Sequence, residues 1–204
     1  MLESKACIYK DIEMRKWLFF LLLTMLTACS AGQKKVSFIG TDITGAQFGA
    51  PLTLTDHTGK LRTMSDFKGK VVVMFFGYTH CPDVCPTTMS DLKQTMKLLG
   101  RDADQVQVLF VTVDPDRDTK EVLAQFVPAF DKRFLGLTGT LEEVAKNMGS
   151  YKIFSNKVPS ASSGSYSIDH SAGLYVFDKT GTARIYMGYG QKPADIAHDL
   201  AQLL

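Results

Sequence analysis

Cys81-Pro82-Asp83-Val84-Cys85-Pro86 is the stretch of this 204-residue chain best equipped for chemistry. Three residues separate the two thiols. In a helical or turn-like path, positions four apart share a face, so both sulfurs can meet one ion or join as a disulfide. A buried-strand pattern precedes the pair and a helix pattern follows it. A cysteine there sits near the positive end of a helix dipole, which favours thiolate over thiol. Pro86 suits a first helical turn and Pro82 stiffens the loop. A purely structural disulfide is a poor use of this spacing. Closing a five-residue loop is worth roughly 2 kcal/mol, against about 4.7 for a loop of a hundred residues.

Two thiolates can hold a soft monovalent ion linearly, but a divalent ion wants more ligands. The chain has four histidines, His57, His80, His170 and His198. His57 falls in a hairpin turn and His198 on the exposed face of the last helix, so both read as surface residues. His80 adjoins Cys81, and in an extended loop it points away. His170 stands in Ile168-Asp169-His170-Ser171, at the end of a long loop and just before a strand that reads as central.

The elements that must position these groups follow from local pattern. Leu52 to Thr55 and Leu61 to Met64 flank Asp56-His57-Thr58-Gly59 and predict an N-terminal hairpin. Val71 to Phe76 is a continuous apolar run of strand length, as expected of a strand covered on both faces. Gly77 to Pro86 reads as loop, and Met89, Leu92, Met96 and Leu99 keep helical spacing over 87–99. Val106 to Val113 is a second buried strand. Asp118-Thr-Lys-Glu121 has capping-box spacing, with Asp118 as cap of a helix to about Phe126. Phe134 to Leu137 is a short strand, and Thr140-Leu-Glu-Glu143 caps a helix to about Met148. Residues 155–167, rich in Ser, Lys and Gly, read as a long exposed loop. Gly173 to Phe177 and Thr182 to Met187 are strands joined at Asp178-Lys-Thr-Gly181. Pro193 opens the last helix. This order predicts one α/β sandwich with a mixed central sheet over residues 50–204.

Composition excludes little. Hydrophobic residues make up 45% and charged residues 22%, and the net charge of +2 carries no polyanion signal. No basic stripe interleaved with aromatics points to nucleic acid. The N-terminus is more informative. Arg15 and Lys16 precede the apolar run Trp17–Leu26, too short for the ~20 residues of a membrane span but right for an export signal. The run ends at Leu26-Thr27-Ala28-Cys29, which resembles the bacterial lipoprotein cleavage box. Met14 is the expected start, because Glu3, Asp11 and Glu13 are unusual in a leader. Residues 1–29 are thus read as a signal with Cys29 as lipidation site, and 30–49 as a tether. Cys7 is then absent or discarded, leaving Cys81 and Cys85 as the free thiols. Ser30 lacks the aspartate that retains some lipoproteins at the inner membrane, so outer-membrane sorting stays open. A flexible tether of about twenty residues reaches ~25 Å.

Three separated motifs, Cys81-Pro-Asp-Val-Cys85-Pro, Val113-Asp-Pro-Asp-Arg-Asp-Thr119 and Asp169-His170-Ser171, together resemble the Sco (SenC) copper proteins from about Ala50 to the C-terminus. The resemblance implies a thioredoxin-like fold that binds Cu(I) or Cu(II) through Cys81, Cys85 and His170. It further implies a role in the cell envelope: delivering copper to, or reducing the cysteines of, the dinuclear copper centre of cytochrome c oxidase. The oxidase subunit or another periplasmic copper carrier is then the expected partner. Asp114, Asp116 and Asp118 match the family's acidic motif, with Asp114 expected to orient the site from outside the ligand set.

The rival reading is a thiol–disulfide oxidoreductase of the cell envelope, acting in redox homeostasis or oxidative-stress defence. A thioredoxin-type motif has two residues between its cysteines rather than three, and Asp169-His170-Ser171-Ala172 stands where that fold carries its substrate-loop proline. Thiol exchange still needs only a reactive thiolate with a partner nearby. Peroxidase patterns fit worse: the sole tryptophan, Trp17, is in the leader, and Tyr78 rather than Thr or Ser stands three residues before Cys81. A zinc hydrolase with two Cys, one His and a water is chemically conceivable, but no acidic base is placed beside Cys81.

Overall fold

The structure is a computed structural model describing residues 36–46, 52–159 and 165–204. The export signal, Cys7, the proposed start at Met14, the lipidation site Cys29 and residues 30–35 and 47–49 of the tether lie outside the described residues.

The sheet grows outward from two apolar strands. In β4 (Val71–Gly77) and β5 (Val106–Thr112) every residue is buried. Such strands cannot alternate a wet face with a dry one, so they occupy the middle of a layered α/β domain. They pair in parallel, with Phe75 opposite Phe110 and Gly77 opposite Thr112. Parallel neighbours need a crossover, and α1 (Val84–Leu99) provides it. β6 (Leu135–Thr138) extends the parallel side. β2 (Thr53–Asp56) and β3 (Leu61–Thr63) form the expected hairpin beyond it. On the other side β9 (Leu174–Phe177) lies antiparallel to β4, followed by β10 (Ala183–Met187) and β1 (Thr41–Asp42). Among the described residues the main sheet is therefore eight-stranded and mixed, in the order β1-β10-β9-β4-β5-β6-β2-β3. The helices α2 (Lys120–Phe126), α3 (Leu141–Ser150) and α4 (Pro193–Ala201) complete the layers, with α4 packed on α1. Among the described residues no helix is long and apolar enough to cross a membrane.

Four expectations need correction. The domain starts before residue 50: Thr41–Asp42 joins the sheet, and buried Asp199 accepts hydrogen bonds from Ile39 N and Gly40 N at 2.8 and 2.7 Å. A carboxylate that takes two backbone donors fixes a segment whose sequence shows little periodicity. Helix α1 begins at Val84, not Thr87, so Cys85 is helical. Pro86 is tolerated because no amide in the first turn has an intrahelical partner to lose.

The third correction concerns residues 155–167, which are no open loop. β7 (Ser155–Pro159) and β8 (Tyr166–His170) pair antiparallel as a separate two-stranded sheet, with Ser155 opposite His170. Residues 160–164 lie outside the described residues. Finally, Asp118 is not the cap of α2. Thr119 Oγ1 accepts from Val122 N at 3.3 Å, and the Asp118 side chain turns inward to full burial.

The β2–β3 hairpin carries a pH-sensitive anchor. Asp56 is fully buried and accepts from Thr58 N, Thr58 Oγ1, Lys60 N and Arg62 Nε, the last at 2.7 Å. Burial pushes its carboxyl up, but those donors win and hold it at about 2, below the ordinary 3.8. The lowered value makes its contribution to stability complete above pH ~4 and lost as pH falls towards 2. At about 1.4 kcal/mol per unit, that is about 2 kcal/mol. Denaturant unfolding between pH 5 and 2 should show this loss in the native chain. In Asp56→Asn, already weaker at pH 7, this part of the slope should vanish; an unchanged slope would exclude Asp56 as its source.

Candidate metal centre

The cysteines sit where β4 runs into α1. Tyr78 is buried and Cys81 half-buried, while Cys85, in the first turn of α1, is fully buried. Among the described residues these are the two free cysteines. The Cys81 sulfur accepts the Cys85 amide at 3.5 Å, a donor that a helix start leaves without a partner. Gly77 makes room for the second sulfur. A Cβ there would stand 3.0 Å from Cys85 Sγ and 2.9 Å from a Phe75 ring carbon, so a side chain at this position would displace the sulfur.

His170 reaches the same place from the other end of the chain. In β8 the burial alternates: Tyr166, Ile168 and His170 face inward while Ser167 and Asp169 are exposed. That period of two aims the His170 imidazole at the cysteines. Its Nε2 lies 3.6 Å from Cys85 Sγ, and the ring packs edge-on against Tyr78 and Phe75. Nδ1 lies 3.0 Å from the Ser171 carbonyl oxygen. A carbonyl can only accept, so Nδ1 carries the proton and Nε2 keeps its lone pair towards the sulfur. Burial lowers the imidazole's pKa, against opposing pulls from the Ser171 carbonyl and Asp169. A neutral ring with its outer N–H held by a carbonyl is the form in which histidine ligates metals.

The electrostatics of Cys85 differ from expectation. Burial pushes the Cys85 thiol well up, outweighing the hydrogen bond from the Tyr78 backbone. Loss of solvent therefore favours the protonated thiol at Cys85, despite its place in the first turn of α1. Among the described residues no three His, Cys, Asp or Glu side chains form a ready-made cage for an ion. Cys85 and His170 are in contact, and the Cys81 sulfur sits on the Cys85 amide.

The other histidines stay away. His80 is exposed, with Nδ1 3.2 Å from its neighbour Thr79 Oγ1. His57 is half-buried and accepts the Gly136 amide at 3.0 Å, so it extends the pairing of β2 with β6. His198 is exposed and pairs with Asp199 at 2.9 Å.

The carboxylates of the acidic motif after β5 are each engaged by other side chains. Asp114 is fully buried, takes the Tyr166 hydroxyl at 2.7 Å and pairs with Arg117 Nε. Asp116 is on the surface with Lys157, at 2.7 Å. Asp118 accepts from Thr79 Oγ1 at 2.6 Å, Thr79 N at 3.1 Å and Thr112 Oγ1 at 2.7 Å. Sequence reasoning missed Thr79, Arg117 and Tyr166. The one local signal was the apolar–polar alternation of Tyr166-Ser-Ile-Asp-His170.

The profile of the SCO1/SenC family matches residues 40–204. The human mitochondrial protein SCO2 homolog is 38% identical over 146 residues, covering 71% of this chain and 55% of the human one. An SCO2-like protein of Rickettsia prowazekii is 33% identical over 136 residues, 66% of each chain. The chain spans about half the length of most of the mitochondrial relatives it matches. Among solved structures, Bradyrhizobium japonicum ScoI with copper bound is 39% identical with a TM-score of 0.72, covering 77% of this chain and 99% of that one. Yeast Sco1 with copper bound is 30% identical with a TM-score of 0.70, covering 77% and 88%. These relatives share the thioredoxin-like α/β architecture expected from the motifs. With a profile match running from the first sheet strand to the last residue, the chain belongs to the SCO1/SenC family.

Proposed function

We propose that this chain binds one copper ion through Cys81, Cys85 and His170 and passes it to the dinuclear copper centre of cytochrome c oxidase. The observation that carries the reading is the contact of His170 Nε2 with Cys85 Sγ at 3.6 Å, with Nδ1 already committed to a carbonyl. Sulfur and imidazole are the donors that suit copper in both oxidation states, whereas carboxylates, which suit hard cations, are held elsewhere by Arg117, Tyr166 and the threonines. Two relatives of known structure, at 39% and 30% identity, hold copper. Copper supplies the cargo; the chain's part is to present two sulfurs and one neutral imidazole and to shield them with Phe75 and Tyr78.

The test is a titration of the reduced chain with Cu(I) and Cu(II) against competing chelators. One copper per chain is expected, with a thiolate-to-copper absorption band for Cu(II). Absence of bound copper, or binding undiminished after both thiols are alkylated, would overturn the reading.

The half-exposed Cys81 beside a buried Cys85 also suits thiol exchange. Cys81 thiolate would attack a partner disulfide, and Cys85 would then displace the partner. The chain would be left with a Cys81–Cys85 disulfide and the partner with two thiols. His170→Ala separates the two roles in cells whose oxidase depends on this chain. Lost oxidase assembly supports copper delivery; preserved assembly supports reduction.

The envelope location belongs to the same proposal. Cys29 would carry the lipid after cleavage, holding the domain at a periplasm-facing membrane surface. Mass spectrometry of the mature protein should find the lipid on Cys29, and an intact N-terminus without it would overturn the anchor.

A further inference from the structure

The two halves of the site arrive on separate elements, the cysteines on the β4–α1 junction and His170 on a hairpin outside the main sheet. Both halves are gripped by one turn. We propose that Val113–Thr119 is a bracket that positions the copper site, with Asp118 holding the Cys81 loop through Thr79, and Asp114 and Arg117 holding the His170 strand through Tyr166. The proposal rests on the copper reading above and assigns Asp114, Arg117, Asp118 and Tyr166 as positioning residues.

The bracket is itself rigid. Val113 N donates to Gly77 O at 2.8 Å, which ties the turn to the end of β4. Arg117 N and Asp118 N both donate to Asp114 O, at 3.1 and 2.9 Å. Thr112 Oγ1 joins its two prongs, accepting from Asp114 N at 2.9 Å and donating to Asp118 at 2.7 Å.

On the cysteine side, Asp118 takes both the amide and the hydroxyl of Thr79, two residues before Cys81. It thereby sets how the loop leaves Tyr78. On the histidine side, Tyr166 is held three ways. Its hydroxyl donates to Asp114 at 2.7 Å, its carbonyl accepts from Arg117 Nη1 at 3.0 Å, and the guanidinium lies 3.6 Å over its ring. Among the described residues Arg117 Nη2 is buried without a hydrogen-bond partner, and the guanidinium also lies over the Tyr78 ring, at 5.7 Å. Two residues further along the same face, Ile168 N donates to Tyr78 Oη at 3.2 Å, and two further stands His170. A strand rising ~3.3 Å per residue fixed at two points has its third inward residue aimed. The surface pair Lys157–Asp116 adds little to this, because exposed ion pairs are weak.

The consequence is selective. Cu(I) is satisfied by two thiolates, whereas Cu(II) also needs the imidazole. Loosening the histidine prong should weaken Cu(II) binding alone, and loosening the cysteine prong should weaken both. Partners one shell out from a metal typically matter by ~10–100-fold. We expect Arg117→Ala to weaken Cu(II) by about that factor, and Tyr166→Phe, which removes one charge-assisted hydrogen bond, by ~10-fold. In both, Cu(I) affinity should stay within about threefold of the native chain. Asp118→Asn, or the milder Thr79→Val should the former not fold, is expected to lower both affinities together.

A metal-free readout runs alongside. Hydrogen exchange at the Ile168 amide should quicken in Arg117→Ala and Tyr166→Phe while the β4 and β5 amides keep their protection. A merely structural role would slow or quicken exchange throughout and reduce both copper affinities in parallel. Parallel loss in Arg117→Ala, or no change in either oxidation state, overturns the bracket. His170→Ala is the reference: undiminished Cu(II) binding there overturns the three-ligand site, while the Ile168 exchange still decides the bracket.

Discussion

His170→Ala should weaken Cu(II) binding about a thousandfold, equivalent to ~4 kcal/mol, while Cu(I) binding falls by less than tenfold. The expectation comes from the order in which donors are needed. Cu(I) has a filled shell and accepts two thiolates in a line, and imidazole adds little to that pair. Cu(II) prefers nitrogen donors and more of them, so losing the imidazole opens a position that water fills poorly in a pocket walled by Phe75 and Tyr78. The native ring already turns its Nε2 towards the Cys85 sulfur, where an ion would sit. It is neutral because burial lowers its pKa, and its Nδ1 proton already rests on the Ser171 carbonyl. Chelator competition in each oxidation state measures both constants, and the absorption band of the residual Cu(II) complex reports whether sulfur is still bound. Equal loss in both states would mean that His170 acts through packing rather than as a ligand.

Much of this arrangement was legible in the sequence, and the failures share a cause. Val71 to Phe76 and Val106 to Val113 were readable because an unbroken apolar strand has no other place than the middle of a layered sheet. The hairpins around Asp56–Gly59 and Asp178–Gly181 were readable because their turn residues are local chemistry. Asp118 was misread for an instructive reason. Asp118-Thr-Lys-Glu121 satisfies capping-box spacing, yet the next residue, Thr119, is an equally good cap and takes the position. That frees a carboxylate to be buried under Thr79, 39 residues away, and no local pattern announces such a pairing. The β7–β8 hairpin was missed because Ser, Lys and Gly dominate its composition, drowning the alternation of Tyr166, Ile168 and His170. The start of α1 was placed three residues late because Pro86 looks like loop, although the first turn of a helix has no use for its missing amide. The site's donors were local or motif-borne and so could be named. The contacts that aim them, Arg117 with Tyr166 above all, join segments 49 residues apart and exist only once the sheet order is known.

Removal of either sulfur should be more damaging than removal of the imidazole. Cys85→Ser and Cys81→Ser are each expected to weaken Cu(I) by ~10⁴-fold, far beyond the ~10–100-fold typical of partners outside the ligand set. A hydroxyl is a hard, poorly ionised donor, and one remaining thiolate cannot hold a soft ion against chelators. The two variants should differ in how they fail. Cys85 is fully buried against Gly77 and His170, so the smaller, more polar serine leaves an underpacked hydroxyl in an apolar site, and thermal stability should drop by about 1–3 kcal/mol. Cys81 is half-buried on the loop, and its serine variant should keep nearly native stability. The same asymmetry governs reactivity in the reduced, metal-free chain. Iodoacetamide should modify Cys81 at least ~100-fold faster than Cys85, whose sulfur is out of solvent and whose thiol burial keeps protonated. Peptide mass mapping over a time course reads this ratio. Equal labelling would show that the Cys85 sulfur is exposed in solution, and the buried contact with His170 would then no longer support a preformed pair of ligands. Preferential labelling, joined to loss of Cu(I) in both variants, makes Cys81 the entry sulfur. On that outcome copper would meet Cys81 first at the surface, the Cys85 proton would then leave to solvent, and His170 would complete the site for Cu(II).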